Sequence, residues 1–173
     1  DIMAESLVHT FLGLFDGLRS IPFGKELIVF LISLMPILEL RGGLIAAALL
    51  GLNIVPAFII CIIGNLLPIP FILWFITPIF NKLKKTKHLS KFVNKIEKKA
   101  LSKKDKIEKA EFWGLFFFVG IPLPGTGGWT GSLIASLINM DKKKAMLAIT
   151  CGVLLAGLIV GSLSFGLLKG IIG

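Results

Sequence analysis

Long apolar runs separated by short polar gaps cover almost all of this 173-residue chain. The residue types AVILMFWYC make up 55% of it, only 17% of residues are charged, and the mean hydropathy is +0.89. A soluble domain is about 25% charged, and its surface has no room for this much hydrocarbon. Disorder is also excluded, because the chain can bury more apolar surface than its ordering entropy requires. The sequence therefore predicts an all-α integral membrane protein.

Positive charge is concentrated in residues 81–111, where twelve lysines and four acidic residues give a balance of +8. A second basic group lies at 141–144. Basic loops beside membrane segments stay in the cytoplasm, next to anionic lipid. We therefore expect both segments to be cytoplasmic, in a multi-pass protein of the cell (plasma) membrane with membrane lipids as partners. Nucleic acid is not expected as a partner, because the basic block lies between hydrophobic segments.

Only the 29 residues from 112 to 140 separate these two basic segments. One membrane crossing would place the basic segments on opposite sides, and two crossings would need about 40 residues. The length therefore predicts a hairpin that enters from the cytoplasm and folds back near 122–128, where the sequence is rich in Pro and Gly.

Residues 27–52 are apolar apart from the cluster MPILELRGG at 35–43, and the pieces on either side are each about half a span long. The residues alone leave two interpretations, one kinked span with a charged pair at its centre or a hairpin. If Asn81 is inside, the span at 55–80 starts outside. The charge rule then favours a hairpin entering from the opposite face.

The predicted fold is a single membrane domain with two inverted repeats, each a re-entrant helical hairpin plus a transmembrane helix. Duplication is supported mainly by the repeated order of apolar arm, Pro/Gly break, apolar arm, polar gap and span. A shift of 86 residues also aligns Pro36 with Pro122 and Gly42 with Gly128. Broken helices at membrane depth hold the substrate sites of inverted-repeat transporters. The expected segments of the domain (1–173) are an amphipathic N-terminal helix (1–26), repeat 1 (27–80), a basic helical connector (81–111) and repeat 2 (112–173).

Three strings, PILELRGG and GNLLPIP in the first half and IPLPGTGGWTGSLIA in the second, closely resemble the family of small multidrug export proteins. The resemblance extends over roughly 27–80 and 112–168. That family is distantly similar to the DedA and VTT-domain membrane proteins, which pair two re-entrant hairpins with spanning helices. Those proteins are linked to lipid translocation and to transport driven by the proton-motive force. The resemblance thus implies the same architecture and adds transport as a function, but the adjacent Glu and Arg depart from the DedA pattern.

Glu39 and Arg41 are the only formal charges between residues 27 and 81. A charge at the bilayer centre costs about 2.5–3.5 kcal/mol on insertion scales, so such a pair must be mutually bound or face water. Side chains at i and i+2 diverge on an intact helix, and pairing therefore favours a broken backbone. We predict that Glu39 carries a proton or cation and that Arg41 binds an anionic group. A purely structural ion pair is the alternative.

The second break offers backbone N–H groups at a helix start after a Gly-rich loop, an arrangement that suits an anion. A tight hairpin tip that merely allows close packing is the alternative. Asn65 could face the same cavity, or it could bond a neighbouring helix. The predicted substrate-binding residues are Arg41, Asn65, Gly125, Thr126, Gly127, Gly128 and Thr130.

The expected function is secondary export of a small or amphiphilic solute, with a proton gradient as one energy source and a midplane site between the two hairpin tips. The alternative is a phospholipid or polyprenyl-phosphate scramblase or flippase of the DedA type. We predict no enzyme, because no His/Asp or Ser/His pair occurs at membrane depth. No cofactor is expected, and Cys61 and Cys151 show no metal-ligand spacing. We also consider a homodimer, in which a second copy would cover broken backbone.

Overall fold

The computed structural model describes residues 2–14, 16–18 and 20–172, with all side chains in these ranges except those of 3, 4, 106 and 167–172. Positions 1, 15 and 19 of the predicted N-terminal helix lie outside the described residues. Within the described ranges every regular element is a helix, which confirms the all-α prediction. In chain order they are α1 Ile2–Leu14, a 3-10 turn Asp16–Leu18, α2 Gly24–Leu34, α3 Glu39–Leu49, α4 Ile54–Leu66, α5 Ile69–Leu83, α6 Ser90–Leu101, α7 Asp105–Glu108, α8 Phe112–Gly120, α9 Gly128–Leu137 and α10 Lys142–Ile172.

Two stretches, Ile54–Leu83 and Lys142–Gly166, are long and apolar enough to cross a membrane. The first comprises α4 and α5, which are separated by a turn at Leu67 and Pro68. Most residues in the apolar windows of both stretches are not buried in protein, unlike those of a core helix in a soluble domain. Large apolar side chains are exposed along the first stretch at Ile59, Ile63, Phe71, Phe75 and Ile79. The chain is therefore a membrane protein.

The chain folds as two compact units, each described here by itself. Unit 1 comprises Asp1–Leu67 and Val153–Gly173, and unit 2 comprises Pro68–Gly152. The boundaries fall at the α4–α5 turn and inside α10. They differ from the predicted repeat boundaries because each pair of short helices packs on one part of each long apolar stretch.

In unit 1, α2 and α3 form an antiparallel pair that we call the first hairpin (24–49). Its two ends meet where Nζ of Lys25, at the start of α2, donates to the carbonyl of Leu50 just after α3, at 3.1 Å. Leu40, Leu44 and Ala47 of α3 are buried, and both arms of the hairpin contact α4. Residues 24–49 thus form two antiparallel helices on either side of a break, and not one continuous kinked helix.

In unit 2, α8 and α9 form the second hairpin (112–137), broken at 121–127. A Cβ added to Gly131 of α9 would lie 2.7 Å from Cγ2 of Val119 and 3.2 Å from Cδ1 of Leu115 in α8, so any larger residue would push these side chains away and widen the approach. Helices α5 and α6 both contact α9. The basic connector is helical as predicted, and Val93 and Ala100 of α6 are buried.

The backbones of the two hairpins follow one plan at a spacing of 88 residues. The first residues of α2 and α8 are 88 apart, and so are those of α4 and α10. All eight described residues with positive φ fall into four pairs at this same spacing. The pairs are Phe23 with Glu111, Ile37 with Gly125, Glu39 with Gly127, and Gly51 with Asn139.

The predicted offset of 86 residues holds only where the first arms end. Met35 and Ile121, 86 apart, are the extended residues that terminate α2 and α8. Each precedes a proline, whose ring disfavours helical backbone in the residue before it. Since the offset is 88 from the breaks onward, the predicted alignment of Gly42 with Gly128 is wrong.

Candidate functional site

The break in the first hairpin directs the side chain of Glu39 into the interior of unit 1. Ile37 and Glu39 have φ values of +75° and +48°, a left-handed conformation that costs a residue other than glycine about 1–3 kcal/mol. Ile37 is 76% exposed, whereas Glu39, the first residue of α3, is only 4% exposed. The strained turn therefore places the predicted proton or cation carrier inside protein.

Asn65, in the last turn of α4, binds the start of α3 through both ends of its amide. Its Nδ2 donates to Oε2 of Glu39 at 3.3 Å, and its Oδ1 accepts the backbone N–H of Leu40 at 3.3 Å. Asn65 is 2% exposed. Of the two interpretations of this residue, the bond to a neighbouring helix is the one observed, and it brings together two predicted site residues.

Arg41 completes what we call the α3 cluster, which consists of Glu39, Arg41 and Asn65. Its guanidinium is attracted electrostatically by Glu39, two residues earlier on the same helix. Arg41 is half-buried, so it is the most exposed member of the cluster. The cluster combines a buried acid, an amide that binds it and a cation at its edge.

Glycines bring three helices together behind this cluster. A Cβ on Gly43 of α3 would collide with Oγ of Ser33 in α2 and would lie 2.9 Å from Sγ of Cys61 in α4. A Cβ on Gly64 of α4 would lie 2.9 Å from the carbonyl oxygen of Phe30 in α2. Ser33 and Cys61 are fully buried. Sequence reasoning missed Ser33, because a single serine in an apolar run carries no periodic signal.

In unit 2, the hydroxyl of Thr126 ties the second break together. Its Oγ1 lies within donating distance of the carbonyls of Leu123 (2.8 Å) and Ile121 (3.0 Å), and it accepts the N–H of Leu123 at 3.2 Å. The side chain predicted to touch a ligand thus shapes its own loop.

The connector reaches the second break through Lys103, in the turn between α6 and α7. Nζ of Lys103 donates to the carbonyl of Gly125 at 2.7 Å. Gly125 has φ of +74°, and a Cβ there would lie 2.6 Å from the same Nζ, so glycine suits both the turn and the contact. Sequence reasoning missed this contact, because the two residues are 22 positions apart in unrelated segments.

The remaining candidates lie at the start of α9. Gly127 has φ of +142°, and its carbonyl accepts the N–H of Gly131 at 2.8 Å in the first turn. Gly128 is buried and Thr130 is half-buried. The five candidates of unit 2 therefore form one continuous loop and helix start.

A pair of hydroxyls joins α5 to α9 and was not predicted. Oγ1 of Thr77 lies 2.8 Å from Oγ of Ser136, and the hydroxyl of Ser136 also lies 3.4 Å from the carbonyl of Leu73. The available signal was Thr77 itself, a polar residue immediately before a helix proline, Pro78, in an otherwise apolar run.

The predicted residues thus form two sets. Glu39, Arg41 and Asn65 are assembled in unit 1, and the loop from Gly125 to Thr130 is assembled in unit 2. No curated protein and no solved structure matches the chain significantly. Residues 39–159, which include both sets, match the family described as "Putative small multi-drug export protein". Because this match covers well over half of the 173 residues, the chain belongs to that family of export proteins.

Proposed function

We propose that this protein is a secondary transporter that exports a small or amphiphilic solute, with Glu39 as its proton- or ion-coupling group. The main support is the burial of the Glu39 carboxylate beside Asn65 and Arg41 in a membrane protein of an export family. A charge at membrane depth costs about 2.5–3.5 kcal/mol, and ionisable groups retained there are functional by default.

The chemistry of the α3 cluster suits a group that exchanges a proton or cation during transport. Burial opposes the ionised form of Glu39, whereas the amide of Asn65 and the guanidinium of Arg41 favour it. These opposing effects bring the two protonation states closer in free energy than they would be for an isolated buried carboxylate. A coupling group needs this balance, because it must change state in every cycle.

We assign the substrate contacts to Arg41 and the second break, namely Gly125, Thr126, Gly127, Gly128 and Thr130. Asn65, which the sequence grouped with them, binds Glu39 and Leu40 instead. That the two sets share one pocket stays a prediction. The bond from Lys103 to Gly125 bears on the surroundings of this break, because a lysine ammonium stays in water or at an interface rather than in lipid. We therefore propose that the second break lines a water-filled space reached from the connector.

The proposed topology is two inverted repeats with re-entrant hairpins in the plasma membrane. It is supported by the backbone spacing of 88 residues and by the basic segments 81–111 and 141–144, which we place in the cytoplasm against anionic lipid. Backbone breaks at membrane depth need protein or water around them, and a homodimer would supply part of that cover.

Transport in proteoliposomes tests the function. We would follow efflux of ethidium, as a probe cation, while imposing pH gradients of either sign. If Glu39 is the coupling group, E39Q abolishes the acceleration by a proton gradient. E26Q retains it, because Glu26 lies in the first turn of α2, outside the cluster. Unchanged gradient dependence in folded E39Q would contradict the coupling role.

The second candidate function, lipid scrambling, is favoured by Arg41, since a guanidinium at the edge of a cluster can bind a phosphate head group. The same vesicles can carry a fluorescent phospholipid whose outer-leaflet fraction is bleached by dithionite. If the vesicles show lipid movement that R41A abolishes and show no ethidium efflux, the proposed function is scrambling and not export. Efflux without lipid movement supports the transporter.

A further inference from the structure

We infer that Asn65 is a positioning residue that sets the protonation of Glu39, and that it does not itself bind solute. This deepens the proposed function and rests on Glu39 being the coupling group. Asn65 is 2% exposed, so a solute cannot reach its amide unless α4 separates from the start of α3. Both ends of the amide already bind the start of α3.

The backbone of α3 determines which way the amide points. The N–H of Leu40 can only donate, so the oxygen of Asn65 must face it at 3.3 Å. The NH₂ group is then directed at Oε2 of Glu39, also at 3.3 Å. Because Leu40 directly follows Glu39, the Asn65 amide hydrogen-bonds both the backbone and the carboxylate of one helical turn. A flipped amide would set its NH₂ group against the N–H of Leu40 and its oxygen against the carboxylate of Glu39.

Packing keeps this amide in place. Gly64, next to Asn65, sits so close to Phe30 that a Cβ would lie 2.9 Å from its carbonyl oxygen. The last turn of α4 is therefore held against α2, while its side chain reaches α3. An N–H donor directed at a carboxylate favours the ionised form, since the protonated oxygen is a poorer acceptor. Asn65 thus lowers the free energy of ionised Glu39 relative to the neutral form.

Besides Glu39, the described part of unit 1 carries titratable side chains on α1, the 3-10 turn, α2, α3 and α4. Arg41 on α3 attracts Glu39, Cys61 is the titratable residue of α4, and Asp16 in the 3-10 turn is exposed. On α2, Lys25 and Glu26 lie in the first turn, at the opposite end of the hairpin from the break. On α1, Glu5 and His9 are exposed, and residues 153–166 of α10 contain no titratable side chain.

The test is the pH dependence of carbodiimide labelling at Glu39, read by peptide mass spectrometry on the full chain in detergent. Dicyclohexylcarbodiimide reacts with protonated carboxyls in apolar surroundings, so the labelling midpoint reports protonation without any substrate. N65D keeps the acceptor for Leu40 but sets a second carboxylate against Glu39, and the two must then share a proton. We expect its midpoint to rise by at least about one pH unit, a tenfold change in proton affinity.

Two further variants complete the design. N65L removes the donor from Glu39, so its midpoint also rises, and it decides the question alone if N65D does not fold. N53D is the matched control, because it adds the same carboxylate to the exposed N-cap at the other end of α4 and leaves the midpoint unchanged. An unshifted midpoint in a folded Asn65 variant would overturn the inference.

Ethidium efflux measured on the same variants separates this inference from the proposed function. If labelling shifts and the pH profile of efflux shifts with it, both are supported. If labelling shifts while efflux keeps its pH profile, Asn65 still positions Glu39, but Glu39 is not the coupling group.

Discussion

Replacing Gly64 by alanine tests the packing that holds Asn65 against Glu39. The added Cβ would lie 2.9 Å from the carbonyl oxygen of Phe30 and 2.9 Å from Cβ of Ser33. A backbone carbonyl cannot rotate away as a side chain can, so α2 and α4 must separate by about 0.5 Å to restore an ordinary contact of 3.4 Å. Because Asn65 directly follows Gly64, this displacement of α4 should also weaken the bond from Asn65 to Glu39, which at 3.3 Å is already long for a hydrogen bond.

The expected loss in the free energy of unfolding is the difference between two opposing effects. Overpacking a core costs about 1–3 kcal/mol, and a clash with backbone belongs in the upper half of that range. Alanine recovers about 1 kcal/mol in helix propensity. The net loss is about 1–2 kcal/mol, which lowers Tm by about 2–8 °C in a chain of this size. Thermal unfolding in detergent, followed by size-exclusion chromatography, measures the shift. Carbodiimide labelling of Glu39 should also extend to higher pH.

Two glycines provide matched controls for Gly64→Ala. Gly152 makes the same contact in unit 2, where a Cβ would lie 2.9 Å from the carbonyl of Phe116, whereas the α3 cluster belongs to unit 1. Gly152→Ala should therefore lose similar stability without changing the labelling of Glu39. A Cβ added to Gly166 would meet no atom within 4 Å, so Gly166→Ala should be as stable as the parent or slightly more stable. If Gly64→Ala were as stable as Gly166→Ala, the packing argument would be refuted.

Two further predictions concern the second break and the topology. T126V removes the hydroxyl that binds Leu123 and Ile121, a loss of about 1 kcal/mol, so hydrogen exchange at the amide of Leu123 should accelerate about fivefold. T126S keeps the hydroxyl and should exchange as the parent does; equal acceleration in both variants would show that the methyl group matters instead. A membrane-impermeant amine reagent should modify Lys95 and Lys143 only in inverted vesicles, and labelling from opposite sides would disprove the re-entrant second hairpin.

Sequence reasoning succeeded where the physical cause is local or additive. Apolar content alone determined that the chain is a membrane protein, since no soluble fold can hide so much hydrocarbon. The helix breaks at Pro36 and Pro122 were predictable as well, because proline restricts the residue before it whatever surrounds it. Glu39 could also be identified as a candidate site residue from the sequence, since a lone acid in an apolar run is costly in any arrangement.

The tertiary structure alone decided which residues Glu39 meets. Asn65 is 26 positions from Glu39 and Lys103 is 22 positions from Gly125, and no periodicity in the chain links the members of either pair. The backbone spacing of 88 residues could likewise be found only from the conformation of the two hairpins, because the left-handed residues are Ile and Glu at two positions of the first hairpin and Gly at the matching positions of the second. Composition and proline position act through the chain itself, whereas these contacts depend on how closely Gly43 and Gly64 let separate helices approach. That distance is a property of the packed helices.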